Sequence, residues 1–292
     1  MHQDFPQEDL DSLLPSTTFD RRAFLVSAAA SGIALAARPV SAQTMIVTPM
    51  DGLEGGDIEV QSFDRGIPAY VAAPRAAGPF PVVLVCHEIF GVHEHVKDVC
   101  RRLAHGGYFA IAPELYVRQG DPKRYSDIPT LLSEVVSRVP DEQVMKDFDA
   151  CVAYCAGNSK ADAKRIGITG FCYGGRIVWL YCAHSNRVKA GVAWYGRLVG
   201  ARTPRTPAHP IDIADQIGCP VLGLYGGADR GIPLETVERM RAALRAFGKN
   251  SSIHVYDDAP HAFNADYRPS YRKEAADDGW RRMLAWFRKH GV

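Results

Sequence analysis

The sequence predicts an α/β fold: one mostly parallel sheet with helices on both faces. Three observations predict it. Short uninterrupted apolar runs such as Pro81–Cys86 recur along the chain, helical stretches alternate with them, and a polar–apolar alternation precedes the series. A strand covered on both faces reads as a continuous apolar run, and strands separated by helices pair in parallel.

The elements follow in order. Residues 57–73 alternate around Asp64-Arg65-Gly66 and read as an antiparallel hairpin. The buried strand Pro81–Cys86 comes next, then a helix over 94–106 and a second buried strand over Tyr108–Ala112. Residues 127–157 read as one or two helices. Strand Arg165–Thr169 then runs into Gly170-Phe171-Cys172-Tyr173-Gly174-Gly175, from which a helix continues to about His184. Further strands are predicted over 188–194, 219–225 and 251–256, with helices over 234–247 and 271–290. The proline-rich segment 197–212 reads as a loop near the site. Residues 43–56, with Pro49 and three glycines, read as a linker ahead of a single domain over 57–292.

Composition narrows the function. The 292 residues carry 34 Lys+Arg against 33 Asp+Glu, and 47% are hydrophobic. That is a globular composition with no charge excess to suit nucleic acid or an acidic membrane surface. A small molecule is the expected partner. The seven cysteines (86, 100, 151, 155, 172, 182 and 219) are odd in number, so at least one thiol stays unpaired within a monomer. No Cys-x-x-Cys pair occurs, and neither a structural zinc site nor any cofactor is expected.

The N-terminus differs in kind. Residues 1–20 are polar and acidic, Arg21-Arg22-Ala23-Phe24-Leu25 leads an apolar run from Val26 to Ala37, and Arg38-Pro39-Val40-Ser41-Ala42 offers small residues for cleavage after Ala42. This describes a secretory signal over 1–42. The paired arginines resemble the twin-arginine type, although Asp20 stands where Ser or Thr is usual. That resemblance implies a periplasmic or secreted protein that meets the twin-arginine export machinery. The apolar run falls short of the roughly 20 residues a membrane-spanning helix needs, so no stable span is expected.

The chemistry concentrates at three places. A Gly-x-Cys-x-Gly turn between strand and helix lifts Cys172 above the sheet at a helix N-terminus, where unsatisfied N–H groups and the dipole favour a thiolate. A tight turn with a buried cysteine would look the same in isolation. After the strand Val221–Tyr225, Gly226-Gly227-Ala228-Asp229 puts a carboxylate at a strand's C-terminal end, and His261 follows the strand at 251–256. Nucleophile, acid and histidine thus come in the α/β-hydrolase order: His261 to take the thiol proton, Asp229 to orient it. Asp257 and Asp258 are rival acids, too close along the chain to His261. Past strand Pro81–Cys86, the loop His87-Glu88-Ile89-Phe90-Gly91-Val92 is positioned to supply one oxyanion donor, the backbone N–H of Ile89, with that of Tyr173 as the other. Read alone, Glu88 could equally be a salt-bridged structural carboxylate.

These segments together resemble the dienelactone hydrolase (carboxymethylenebutenolidase) family: Glu88-Ile89-Phe90-Gly91-Val92, Ala112-Pro113-Glu114-Leu115-Tyr116, Gly170–Gly175 and Pro260-His261-Ala262-Phe263. The resemblance covers roughly 55–290. It implies an α/β-hydrolase fold, a Cys172-His261-Asp229 triad, and Glu88 as a gate that associates with the nucleophile at rest and rearranges when substrate binds. It also implies an arginine for the substrate carboxylate four residues past the histidine, where this chain has Ala265. Arg118 and Arg124, beyond Tyr116, are the nearby candidates for a second substrate arginine, and His87 replaces a common Gln. The expected function is hydrolysis of an ester or lactone through an acyl-enzyme, with the substrate left open. A non-catalytic ligand-binding protein on the same scaffold, or a thiol redox sensor, are the alternatives.

Overall fold

A computed structural model describes residues 44–292; the export signal expected over 1–42 lies outside them. The strands are β1 (Leu53–Gln61), β2 (Gly66–Pro74), β3 (Phe80–Cys86), β4 (Phe109–Pro113), β5 (Ala161–Phe171), β6 (Val188–Trp194), β7 (Val221–Gly226) and β8 (Ser252–Tyr256). The helices are α1 (Glu94–His105), α2 (Ile128–Glu134), α3 (Asp141–Ala156), α4 (Tyr173–His184), α5 (Leu234–Ala246) and α6 (Lys273–Lys289).

All eight strands form one sheet in the order β1-β2-β4-β3-β5-β6-β7-β8. The β1–β2 and β2–β4 pairs are antiparallel, and the remainder are parallel. Burial explains the two strand patterns read in the sequence. The interior strands β4 and β7 are buried along their whole length, whereas the edge strand β1 alternates between partly buried and exposed positions. Helix α1 lays Val96, Val99, Cys100 and Leu103, at helical spacing, against the core. Arg102 of α1 stacks over Trp280 of α6, which places both helices on one face, while α3 and α4 pack on the other.

One boundary differs from expectation. The segment 43–56 is not a linker throughout, because β1 already begins at Leu53, paired with Pro74. Glycine was the misleading signal. A Cβ on Gly55 would lie 2.1 Å from the Val71 carbonyl oxygen, so this glycine lets β1 approach β2 and does not loosen the chain. Upstream, the Ile46 N–H donates to Asp266 at 3.0 Å and that of Thr48 to Asp98 at 2.6 Å, docking the arm on the body. Residues 127–157 form two helices, because Asp127 caps α2 and Pro140 opens α3 after a 3₁₀ turn. Among the described residues, no helix is long and apolar enough to cross a membrane, and no cluster of His, Cys, Asp and Glu could hold a metal ion.

Candidate active site

Cys172 occupies the single position between β5 and α4 with φ 54° and ψ −113°. The neighbours must be glycine: a Cβ on Gly170 would meet the Gly174 carbonyl oxygen at 2.4 Å, and one on Gly174 the Cys86 carbonyl oxygen at 2.4 Å. The Cys172 N–H donates to the Trp194 carbonyl at 3.0 Å, tying the turn to β6. Among the described residues, the non-glycine residues with positive φ are Cys172, Tyr195 (37°) and Ala262 (57°). They follow β5, β6 and β8 or flank the histidine beyond it. Such conformations cost about 1–3 kcal/mol each and collect where function requires them.

The acid and the histidine meet as the order of the motifs requires. Asp229 Oδ1 accepts from the backbone N–H groups of Gly231 (2.9 Å) and Ile232 (3.2 Å), which fixes the carboxylate in its turn. Its Oδ2 lies 2.7 Å from His261 Nδ1, with both residues buried. Burial disfavours the imidazolium, but the charge of Asp229, followed by that of Cys172, outweighs it and holds the His261 pKa well above its ordinary value. The other ring nitrogen, Nε2, is buried without a hydrogen-bond partner. Asp257 and Asp258 are exposed and stay outside this arrangement.

The Glu88 loop forms the second wall. His87 Nε2 accepts from the Leu115 N–H at 3.1 Å, so its Nδ1 carries the proton and donates to the Glu88 carbonyl at 2.6 Å. The Tyr116 hydroxyl reaches the same carbonyl at 3.4 Å. The Glu88 side chain is 2% exposed, and its Oε2 accepts from the Tyr267 hydroxyl at 2.7 Å. Its Oε1 has no hydrogen-bond partner, so the resting contact with Cys172 that the resemblance implied is not made here. The backbone N–H groups of Ile89 and Tyr173 donate to no acceptor among the described residues, which leaves both open to an oxyanion.

The candidate substrate residues separate. Tyr116 is buried in the wall, its ring edge-on to His87 at 4.7 Å and 5.7 Å from that of Tyr173. Arg118 is already paired: its guanidinium is shared between Asp64 (2.6 Å) and the fully buried Asp147 (2.8 Å) and lies over Phe63. Two carboxylates already satisfy its charge. Arg124 lines a groove of about 530 Å³ with Val92, Lys97, Glu114 and Lys123, whose lining includes none of Cys172, Asp229 and His261. Ala265 is fully buried and offers no charge.

Sequence reasoning missed Tyr195, Tyr267 and Arg268. Tyr195 packs edge-on to His261 at 5.2 Å, and Arg268 lies over Phe90 at 5.7 Å. The place of Tyr195, at the C-terminal end of a parallel strand, was a usable signal. Nothing local marks Tyr267, which lies 179 residues from the carboxylate it contacts.

Comparison with known proteins identifies the family. The model of the dienelactone hydrolase family matches residues 67–291. A Methylorubrum extorquens protein with a provisional carboxymethylenebutenolidase name is 58% identical over 284 residues, covering 97% of this chain and 98% of its own. A Salmonella typhimurium protein with the same provisional name is 56% identical over 262 residues, 89% of this chain and 96% of its own. The crystal structure of a Klebsiella pneumoniae protein, provisionally described as a dienelactone hydrolase, superposes with a TM-score of 0.80 at 57% identity, covering 81% of this chain and 99% of that one. The chain belongs to the dienelactone hydrolase family and is an α/β-hydrolase of the carboxylic-ester class.

Proposed function

We propose that the chain hydrolyses a small-molecule ester or lactone through a thioester on Cys172. The observation that carries this reading is the buried 2.7 Å His261–Asp229 pair beside a cysteine held at positive φ on a strand–helix elbow. His261 takes the thiol proton and the sulfur attacks the substrate carbonyl carbon. The oxyanion that forms accepts from the Ile89 and Tyr173 N–H groups. Collapse expels the alkoxide, which His261 protonates, and leaves the acyl group on Cys172. Water, deprotonated by His261, then attacks the thioester and regenerates the thiol, while Asp229 stabilises the imidazolium in both halves. Glu88, buried next to the oxyanion donor, controls how readily the thiolate forms.

The test is direct. Cys172→Ala is expected to remove nearly all turnover, whereas Cys86→Ala and Cys182→Ala retain it. Mass spectrometry after a rapid quench is expected to find the acyl adduct on the peptide containing Cys172. Full activity in Cys172→Ala would sink the mechanism.

The same reading extends to location. The Arg21-Arg22 signal supports export by the twin-arginine machinery to the periplasm or beyond. Arg21→Lys combined with Arg22→Lys is expected to leave an unprocessed precursor in the cytoplasm. A processed periplasmic form of that double variant would overturn the assignment.

A further inference from the structure

The seven thiols are not equivalent. Cys172 and Cys219 are part-exposed, and the other five are buried. Cys219 lies just ahead of β7 and packs against the core, while Cys182 sits in the last turn of α4. The backbone brings the two together, because the Gly218 N–H donates to the Cys182 carbonyl at 2.9 Å. The Cys182 sulfur is seated on β6 at a place that a glycine makes: a Cβ on Gly191 would lie 2.6 Å from it. Gly191 in turn donates its N–H to the Pro220 carbonyl at 3.0 Å, next to Cys219. Across this seam between helix and sheet, the Cys182 and Cys219 thiols hydrogen-bond each other.

We propose that Cys182 and Cys219 form a disulfide that staples the end of α4 to the start of β7, with a small-molecule disulfide such as oxidised glutathione as the oxidant. The Cys219 thiolate attacks one sulfur of the oxidant, and the other leaves as a thiolate. Cys182 then gives up its proton, its sulfur attacks that of Cys219, and the second half of the oxidant departs. The two cysteine sulfurs lose two electrons in all, and the oxidant is reduced to two thiols that carry away the two protons. Access and ionisation set this order. Cys219 is the sulfur that solvent reaches, whereas burial first, and the hydrogen bond with Cys219 second, push the Cys182 thiol well up. Closure by Cys182 is therefore the slow step, unaided on the order of minutes to hours. The staple joins the helix that starts beside Cys172 to the strand that leads to Asp229, at the ends remote from both. It fixes the scaffold beneath the site and leaves the thiol of Cys172 free. The proposed export would deliver the chain to a compartment where such bonds persist.

The experiment incubates the reduced protein with oxidised glutathione, traps remaining thiols with iodoacetamide, and maps peptides by mass spectrometry without reductant. The wild type is expected to yield one cross-linked pair of peptides, containing Cys182 and Cys219, with Cys172 outside it. Cys219→Ser should yield no cross-link. Melting temperature gives the second readout, since a disulfide removes freedom from the unfolded chain. The oxidised wild type is expected to melt about 5–10 °C above its reduced form, and Cys219→Ser at the same temperature in both buffers. A glutathione adduct that stays on Cys219 without closing would overturn the proposal, because Cys182 would then be out of bonding reach. Free thiols at both positions, or a link from either one to a different cysteine, would overturn it as well. A cross-link that leaves the melting temperature unmoved would remove the staple. All of these outcomes are independent of turnover at Cys172 and of export.

Discussion

Two buried histidine–aspartate pairs differ less in themselves than in what lies beside them. His261 Nδ1 meets Asp229 at 2.7 Å, and His95 Nδ1 meets Asp266 at 3.0 Å. In both, Nε2 is buried without a hydrogen-bond partner. Beyond His261 Nε2 lies the thiol of Cys172, whose interaction raises the pKa of the imidazole. His95 is instead surrounded by the rings of His93, Phe171 and Tyr267. The carboxylates differ too. Asp229 spends its other oxygen on its own turn, whereas Asp266 spends its on the N–H of Ile46 in the N-terminal arm. In the proposed mechanism the first pair serves as a base because a thiol adjoins it; the second pair holds an arm, a helix and a loop together.

The largest effect should separate the pairs by turnover. Asp229→Asn is expected to lower kcat by about 10³–10⁴-fold, since the tautomer and the imidazolium both lose their partner, while Asp266→Asn should lower it by less than about tenfold. Comparable losses in steady-state assays would break the distinction. Stability should reverse the ranking. Asp266→Asn leaves a buried imidazole badly paired and weakens the tie to the arm, at a cost of about 1–3 kcal/mol in denaturant unfolding. Asp229→Asn should cost less than this, because the active site already tolerates unsatisfied polar atoms.

The smallest and sharpest difference is in pH. The folded pKa of His261 is raised above its ordinary 6.5, so its contribution is full below that value and lost as pH rises through the folded pKa. For Asp266, burial opposes ionisation, but the hydrogen bond and charge of His95 prevail and lower its pKa from 3.8. Its contribution is present above that value and lost as pH falls through the folded pKa. Melting temperatures of His261→Ala should therefore converge on wild type in alkaline buffer, and those of Asp266→Asn in acid. Convergence of both variants at the same end would contradict the assignment of opposite shifts.

Much of this site was legible in the chain. The elbow is a local object: Gly170, Cys172 and Gly174 adjoin in sequence, and steric exclusion around one turn dictates their types. The meeting of Asp229 and His261 was legible at one remove, because parallel strands present their C-terminal ends along one edge. The pairing of Arg118 was not legible, for the opposite reason. Its motif position suggested substrate, but Asp64 and Asp147, 54 and 29 residues away, had already claimed it.

By itself, then, the sequence determined the alternation of strands and helices, the hairpin at the sheet edge, the strained cysteine and the order in which Cys172, Asp229 and His261 follow their strands. All of these follow from backbone sterics and hydrophobic period over a few residues. Tertiary structure decided which histidine each buried carboxylate meets, that Glu88 accepts from Tyr267, and that the glycine-bearing start of β1 is strand. These depend on which side chains meet across the packed sheet and which rotamers the neighbours allow, and a hydrogen bond spanning 179 residues leaves no mark on the local pattern at either end.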